Sequence, residues 1–299
     1  MQAHIRGCEI YFDIDGAGLV SDGDRMRERP TAFLVHGGPG IDHTAGKARY
    51  GRLRKRMQLV YFDHRGQGRS GRGNPETYTL DENVEDMEAL RRHLGIGPIV
   101  SIGSSYGGMV AMAHAARYPG SVSHLILCVT AAHSGYVERA KESVRQRGTE
   151  EQIAMCEALF AGQINSPERM RRYFEVMRTL YACKHDPNGG DNSGPMILEP
   201  IPLNKAHGPG GFLRTLDLRP ELRAITAPTL ILAGRHDWIH APEFSEEIHD
   251  LIPGSDLRIF EESRHLLAVD EPRNLLDAIA GFVIYRTRST GLRSAATRS

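Results

Sequence analysis

Apolar runs of strand length alternate with amphipathic helical patterns over the first half of the chain, and this alternation predicts a mostly parallel sheet with crossover helices. It resumes after Pro228 and continues almost to the C-terminus. We predict strands over Glu9–Ile14, Ala32–Val35, Gln58–Phe62, Ile99–Ile102, His124–Val129, Thr229–Ala233 and Leu257–Phe260. We predict helices over Thr79–Leu94, Tyr106–Tyr118, Ser245–Leu251 and Pro272–Phe282.

One long insertion interrupts the alternation, and its composition changes along its length. It contains two helical stretches, Glu138–Ala161 and Pro167–Ala182, followed by a Gly/Pro/Asn-rich run over Asp186–Pro195. Long irregular segments of this kind in compact domains are usually functional or disordered. We predict an α/β core formed by residues 1–133 and 217–285, a helical cap or lid of residues 134–216, and a flexible, arginine-containing tail of residues 286–299.

The charge balance and the cysteine usage exclude several classes of protein. The 299 residues include 37 Lys+Arg and 37 Asp+Glu, so no excess charge of one sign is available for nucleic acid or anionic lipid. The four cysteines show no C-x-x-C spacing and are too sparse for a disulfide framework. No apolar run is long enough for a membrane span. We expect a cytoplasmic protein that acts on a small-molecule or short-peptide substrate without a cofactor, and its oligomeric state stays open.

The segment Gly103-Ser104-Ser105-Tyr106-Gly107 has the G-x-S-x-G pattern between an apolar strand and a helix. A nucleophile at such a sharp turn has strained backbone geometry, and the two flanking glycines remove side chains that would collide. A Gly/Ser-rich turn without chemistry is the alternative, but the strand before and the helix after favour Ser105 as a nucleophile. Its place at a helix N-terminus also makes the Tyr106 N–H a candidate donor to an oxyanion.

A serine nucleophile needs a base and an acid, and both are expected downstream in the order Ser, acid, His. Asp237 follows the strand Thr229–Ala233, at the carboxyl edge of the sheet where open α/β folds place their sites. His265 follows the last predicted strand. The chain has 14 histidines, and His236, His240 and His249 compete for this role by proximity. His236 and His240 also form an H-x-x-x-H pair, but the strand end and Pro242 argue against a shared helical face, so we expect no metal.

Two glycine-rich loops follow the second and third predicted strands. The loop His36-Gly37-Gly38-Pro39-Gly40 permits close backbone approach and can supply a second oxyanion donor, whereas a phosphate-binding P-loop would need the Lys-Ser/Thr pair that is absent. The loop Asp63–Ser70 contains Gly66 and Gly68, which indicate tight turns. We expect Asp63 and Arg65 to hold this second loop under the site.

These motifs resemble the α/β-hydrolase fold and, within it, the proline iminopeptidase-like serine peptidases. The resemblance rests on H-G-G-P-G at 36–40, D-x-R-G-x-G-x-S at 63–70, G-S-S-Y-G-G at 103–108 and G-R-x-D at 234–237, and it spans nearly the whole core but little of the cap. It implies Ser105 as nucleophile with Asp237 and His265 as its partners. It also implies that the Gly38 and Tyr106 N–H groups form the oxyanion hole.

The sequence departs from this family at the histidine loop and at the substrate ammonium site. Many relatives have Gly before the catalytic histidine, whereas this chain has Arg264. Aminopeptidases of the group bind the substrate ammonium with acidic residues, and the corresponding places here are Gly211 and Trp238. Glu175 and Glu199 of the cap could contribute carboxylates at the substrate-binding site. An apolar wall of that site could be formed by Phe212, Tyr173 and Phe174 of the cap and Trp238 of the core.

The motifs therefore predict a serine hydrolase that cleaves a small amide or ester through an acyl-enzyme, as a proline iminopeptidase-like aminopeptidase or amidase. A carboxylesterase or lactonase acting on a neutral apolar substrate would use the same residues. A non-hydrolytic relative, such as a lyase or ligand receptor, could also retain them. A purely structural module has no need of a serine at a strained turn.

Overall fold

A computed structural model describes residues 1–184 and 196–296, with side chains in the last helix as far as 284. Its main sheet has eight strands in the order β1-β2-β6-β5-β7-β8-β9-β10. The strands are β1 (Gln2–Ile5), β2 (Cys8–Asp15), β3 (Leu19–Asp22), β4 (Arg25–Glu28), β5 (Thr31–Val35), β6 (Gln58–Phe62), β7 (Ile99–Ser104), β8 (Val122–Cys128), β9 (Thr229–Gly234) and β10 (Asp256–Phe260). Strands β3 and β4 form a separate hairpin.

Strands β5 to β10 run parallel to their neighbours, and β1 and β2 add an antiparallel edge. The central strands are almost entirely buried, and every residue of β9 is buried. Such continuous apolar strands are typical of a parallel sheet covered by helices on both faces. Two buried clusters pack against the sheet, one including α3 and the other including the last helix. The fold class predicted from the alternation is therefore confirmed.

Eleven helices of the described residues connect or cover these strands. They are α1 (Thr44–Tyr50), α2 (Leu80–His93), α3 (Tyr106–Arg117), α4 (Tyr136–Arg147), α5 (Glu150–Phe160), α6 (Pro167–Tyr181), α7 (Pro200–His207), α8 (Arg219–Leu222), α9 (Pro242–Leu251), α10 (Leu267–Asp270) and α11 (Pro272–Ala296). Helices α4 to α7 lie in the segment between β8 and β9 that the sequence predicts as the cap. None of the helices in the described ranges combines the length and apolar character needed to cross a bilayer.

Most differences from the predicted elements have local causes. The single helix predicted over Glu138–Ala161 is two helices, because Thr149 begins a new helix with a capping box to Gln152. A Cβ on the preceding Gly148 would also lie 2.7 Å from the Val144 carbonyl oxygen. The hairpin β3–β4 was not predicted, since its side chains are nearly all exposed and show no apolar alternation.

The two ends of the chain also differ from expectation. The short strand β1 was not predicted, because only Ala3 and Ile5 of its four residues are buried. At the other end, α11 continues to Ala296, so the backbone of most of the segment predicted as a flexible tail is helical. The last three residues, 297–299, and the Gly/Pro/Asn-rich run over Asp186–Pro195 lie outside the described residues.

Candidate active site

Ser105 stands between the end of β7 and the first residue of α3, in a conformation that L-amino acids rarely adopt. Its φ and ψ are 56° and −125°, and its N–H donates to the Cys128 carbonyl at 2.9 Å. A Cβ on Gly103 would lie 2.3 Å from the Gly107 carbonyl oxygen, and one on Gly107 would lie 2.0 Å from the Val35 carbonyl oxygen. The two flanking glycines are therefore required by close backbone contacts, and the strain holds Ser105 outward.

The loop after β5 lies directly against Ser105. A Cβ built on Gly37 would be 3.1 Å from the Ser105 Cβ and 3.7 Å from its Oγ. The ring of His36 supports this loop from below: its Nε2 accepts a hydrogen bond from the His64 N–H at 3.2 Å. Its Nδ1 therefore carries the proton and donates to the Gly37 carbonyl at 2.8 Å. This arrangement places the backbone of Gly37 and Gly38 beside the nucleophile candidate.

The loop over Asp63–Ser70 buttresses the loop after β5. Asp63 is fully buried and accepts hydrogen bonds from the His43 N–H, the His43 ring and the Arg69 N–H at 2.7 to 2.8 Å. Burial opposes ionisation, but these bonds, led by that from the His43 ring, hold the pKa of Asp63 below its usual range. Arg65 makes two 2.6 Å bonds to Asp86. The predicted supporting role of Asp63 and Arg65 is confirmed.

Asp237 and His265 meet at the carboxyl edge of the sheet. His265 Nδ1 lies 2.7 Å from Asp237 Oδ2, and both side chains are buried. The other carboxylate oxygen accepts from the Ile239 and His240 N–H groups at 2.9 and 3.1 Å. The Asp237 carboxylate can only accept this hydrogen bond, so His265 Nδ1 must carry the proton and donate it. In that tautomer Nε2 has a free lone pair. Two backbone donors and one imidazole fix the Asp237 carboxylate.

Ser105 and His265 border the same cavity, whose volume is about 390 Å³. Among the described residues, no hydrogen bond joins the Ser105 hydroxyl to the His265 ring. Catalytic hydrogen bonds of free enzymes are often long and shorten only when substrate binds. Of the competing histidines, His249 bonds to Ser255 at 2.8 Å, away from this cavity, and His236 is exposed.

The His265 loop is fastened to the end of cap helix α6 by hydrogen bonds that we call the cap latch. The buried Asp270 carboxylate accepts from the Cys183 and Lys184 N–H groups, both at 2.8 Å, and from the Arg264 N–H at 2.9 Å. The Leu266 N–H donates to the Tyr181 carbonyl at 2.9 Å. The residues immediately before and after His265 are thus both held by this network.

Two aromatic residues predicted to shape the substrate pocket lie outside the cavity wall. Trp238 is only 1% exposed and packs edge-on against Tyr181 at 5.5 Å. Phe212 packs against the Tyr106 ring at 6.0 Å, while its neighbour Leu213 lines the cavity. Trp238 follows Asp237 directly. The chain turns here so that the Ile239 and His240 N–H groups reach the Asp237 carboxylate, and the Trp238 indole lies outside the cavity wall. Tyr173 and Phe174 of α6 do line it.

The two predicted cap carboxylates have different positions. Glu175 borders the cavity but is an exposed residue, and it lies 3.5 Å from Arg172. Glu199 is not part of the cavity wall and pairs with Arg72. Within the described residues, the one other carboxylate that lines the cavity is Asp42, whose charge is matched by Arg69 at 2.9 Å. The cavity wall therefore offers no buried carboxylate without a cationic partner.

A family model described as "alpha/beta hydrolase fold" matches residues 32–272. The chain belongs to the α/β-hydrolase fold family. Among curated relatives of this α/β-hydrolase, "Proline iminopeptidase PfmaB" of Pestalotiopsis fici is 29% identical over 270 residues, covering 87% of this chain and 94% of that protein. "Proline iminopeptidase" of Lactobacillus helveticus is 27% identical and covers 89% of this chain and 90% of its own length. The predicted resemblance to this group is confirmed.

Solved structures similar to this α/β-hydrolase carry several different activities in their titles. "Proline iminopeptidase Mycobacterium smegmatis" superposes with a TM-score of 0.78 at 21% identity, covering 97% of this chain and 99% of the other. "Esterase (EaEST) from Exiguobacterium antarcticum" has a TM-score of 0.71 at 21% identity, covering 94% and 98%. At these identities the likeness establishes the fold alone.

His240 and His207 are buried histidines that border the cavity of this α/β-hydrolase, and sequence reasoning did not place either of them there. His240 Nδ1 donates to the Val129 carbonyl at 2.8 Å, while its Nε2 is buried without a partner among the described residues. Burial lowers the pKa of His240 to about 3 and that of His207, beside Gly38, to about 4. His240, Asp237 and His265 place ligand atoms within 4.8 Å of one another. A metal there would have to displace the Asp237–His265 hydrogen bond, which uses two of the three groups.

Proposed function

We propose that this protein is a serine hydrolase that cleaves a small amide or ester through an acyl-enzyme. The observation that carries the proposal is the buried 2.7 Å contact between His265 Nδ1 and Asp237, with His265 bordering the cavity that also contains Ser105. An Asp-bound imidazole in the same cavity as a serine at a strained turn is the combination of groups that nucleophilic acyl transfer needs. The proline iminopeptidase names of the curated relatives support the same class of reaction.

In the proposed reaction, Ser105 Oγ attacks the substrate carbonyl carbon while His265 Nε2 takes the hydroxyl proton. The proton then passes to the leaving amine or alcohol as the bond to the carbonyl carbon breaks, which leaves an acyl ester on Ser105. Water attacks this ester, again giving its proton to His265, and the released serine recovers that proton. Asp237 holds the imidazole tautomer and stabilises its cation. We assign the oxyanion hole to the Gly38 and Tyr106 N–H groups, each worth about 2.7 to 4 kcal/mol in such sites.

The cavity wall favours an acyl group that is largely apolar. Its lining is dominated by aliphatic and aromatic side chains from the core and from α6. An apolar wall of this kind gains energy from desolvating hydrocarbon, whereas an unpaired ammonium would lose its hydration without compensation. We therefore propose substrates whose acyl part carries no exposed positive charge.

A carboxylesterase or lactonase is the second candidate, and one observation favours it over an aminopeptidase. Within the described residues, the carboxylates at the cavity are Asp42, whose charge is matched by Arg69, and the exposed Glu175, which lies near Arg172. Neither provides the unpaired buried charge that would hold the free amino terminus of a peptide. An iminopeptidase activity would then require the Glu175 carboxylate to bind the amino group of the substrate.

One substrate panel tests both assignments. Prolyl and alanyl anilides would be compared with neutral p-nitrophenyl esters and lactones, using the wild-type protein, Ser105→Ala and Glu175→Gln. Hydrolysis that Ser105→Ala abolishes, together with fluorophosphonate labelling that it also abolishes, supports the acyl-enzyme mechanism. A Glu175→Gln variant that loses anilide turnover but keeps ester turnover supports the aminopeptidase. Full activity of Ser105→Ala would refute the mechanism, and labelling without turnover across the panel would favour a non-hydrolytic relative.

A further inference from the structure

A second pocket, with a volume of about 300 Å³, lies between the cap and the loops that carry Asp237 and His265. Arg147 at the end of α4 contributes from the cap side, and His236, Trp238 and Arg264 contribute from the core side. No residue lines both this pocket and the cavity that contains Ser105. It is therefore a separate place for a ligand, outside the proposed catalytic reaction.

The wall of this pocket carries positive charge and no carboxylate. Its lining includes two guanidinium groups and no Asp or Glu. Among the described residues, neither Arg147 nor Arg264 forms an ion pair, whereas the nearby Arg145 pairs with Glu157 at 2.8 Å. Arg147 instead donates to the hydroxyl of Ser143 and, weakly, to the His236 carbonyl at 3.5 Å.

The two guanidinium groups are close enough to influence each other. Partial burial, then the nearby charges of Arg264 and Arg139, lower the pKa of Arg147, while the Asp237 carboxylate acts in the opposite direction. The guanidinium remains charged throughout the physiological range. Arg139 has a carboxylate partner, Glu243, at 2.6 Å. The nearby Asp237 carboxylate only partly offsets the repulsion between Arg147 and Arg264, and an anion bound between the two guanidinium groups would reduce that repulsion further.

Two buried donors in the pocket wall also have no acceptor in the described structure. Trp238 is 1% exposed, and its indole Nε1 forms no hydrogen bond. Arg264 Nε is buried and likewise unbonded. Buried donors without acceptors are uncommon because each costs the free energy of desolvation, and they point to an acceptor that the chain itself does not provide.

We propose that this pocket is an oxyanion-binding site that takes a phosphate group. The two guanidinium groups approach from opposite sides, cap and core, and the indole N–H adds a neutral donor. A tetrahedral phosphate accepts donors from several directions and suits guanidinium groups, whereas a planar carboxylate offers two oxygens in one plane. The bound group would bridge the cap to the loop residues beside Asp237 and His265. Free inorganic phosphate and a phosphate monoester share this chemistry, and the experiment separates them.

Trp238 is the single tryptophan of the chain, so intrinsic fluorescence reports directly from the pocket. The full-length protein would be titrated at constant ionic strength with inorganic phosphate, phenyl phosphate, acetate and chloride. We expect a saturable fluorescence change with phosphate and none with chloride. Saturation by inorganic phosphate alone identifies free phosphate as the ligand, whereas tighter binding of phenyl phosphate identifies a phosphate monoester.

Variants establish where the anion binds. Arg147→Gln and Arg264→Gln should each weaken phosphate binding at least tenfold, because each removes a charge-assisted donor. Arg145→Gln, on the same helix as Arg147 but paired with Glu157, is the matched control and should bind as the wild type does. Circular dichroism checks that each variant is folded, and Arg147→Gln is the safer change because Arg147 is exposed.

Three results would overturn the proposal: a response to phosphate no different from that to chloride, binding of acetate as tight as that of phosphate, or unchanged binding in both pocket variants. The measurement does not involve turnover. Its failure would therefore leave the proposed hydrolase intact. Full activity of Ser105→Ala would refute the hydrolase mechanism, but a saturable fluorescence response to phosphate would still support the phosphate site.

Discussion

The cap latch gives a quantitative prediction, which is the effect of Asp270→Ala. This change removes three charge-assisted hydrogen bonds, from the Cys183, Lys184 and Arg264 N–H groups. Each such bond is worth about 1.5 to 3 kcal/mol when its donor is left unsatisfied. Cys183 and Lys184 are exposed residues, so water can replace the carboxylate there, and only the Arg264 bond should count in full. We expect the free energy of unfolding to fall by about 3 kcal/mol.

The same change should slow turnover as well as destabilise the fold. Arg264 precedes His265, and misplacing a catalytic group by about 1 Å can cost roughly 100-fold in rate. Asp270→Asn keeps an oxygen for two of the N–H groups but presents its NH₂ to the third, so it should lose about half as much stability. Urea unfolding gives the free energies, and ester hydrolysis normalised to titrated Ser105 gives kcat.

The matched control is Asp277→Ala, since Asp277 is exposed on α11 and should shift stability by less than about 0.5 kcal/mol. If Asp270→Ala is as stable as that control, the latch contributes nothing and the hydrogen-bond argument is wrong. If Asp270→Ala is destabilised but turns over at the wild-type rate, Asp270 holds the cap without positioning His265.

Three further outcomes follow from the structure. Gly107→Ala should cost more than about 3 kcal/mol in unfolding free energy, because its Cβ would lie 2.0 Å from the Val35 carbonyl oxygen, whereas Gly281→Ala in open helical surroundings should not destabilise. Asp237→Asn should lower kcat by roughly 10³ to 10⁴ through the wrong imidazole tautomer, measured on the best substrate of the panel. The pKa values of His207 and His240 are lowered to about 4 and about 3, whereas the value in the unfolded chain is about 6.5, so the unfolded chain binds more protons as the pH falls. The free energy of unfolding, measured with urea, should therefore fall between pH 6.5 and pH 4 by an amount on the order of 3 kcal/mol per histidine.

The residues with local signatures could be predicted from the sequence. Ser105 is identified by two glycines within five residues, and the structure places those glycines in backbone contacts that no side chain could share. Asp237 and His265 are identified by their positions after strands of a parallel sheet, where the topology brings distant chain segments to one edge. In each case the signal in the sequence lies within a few residues of the site residue.

The cavity wall could not be predicted in the same way, because it depends on how the cap helices pack on the core. Trp238 was expected at the substrate because it follows Asp237, yet its indole lies in the wall of the second pocket. His207 contributes to the cavity from the end of α7, a helix with no strong apolar periodicity. Asp270 bonds to residues 86 and 87 positions earlier, and no spacing rule connects them.

The latch makes substrate selection and catalytic geometry interdependent. Helix α6 supplies Tyr173, Phe174 and Tyr181 to the cavity. The chain segment at its end bonds directly to Leu266 and, through the shared Asp270 carboxylate, is linked to Arg264. A movement of α6 that widens the cavity therefore also pulls on the loop that carries the proposed base. Changes in α6 that alter substrate preference should then change kcat together with KM, whereas a change at Arg145 of α4, an exposed residue that pairs with Glu157 and lines neither pocket, should leave kcat alone. A series of apolar substitutions at Phe174 that shifts KM with constant kcat would contradict this coupling.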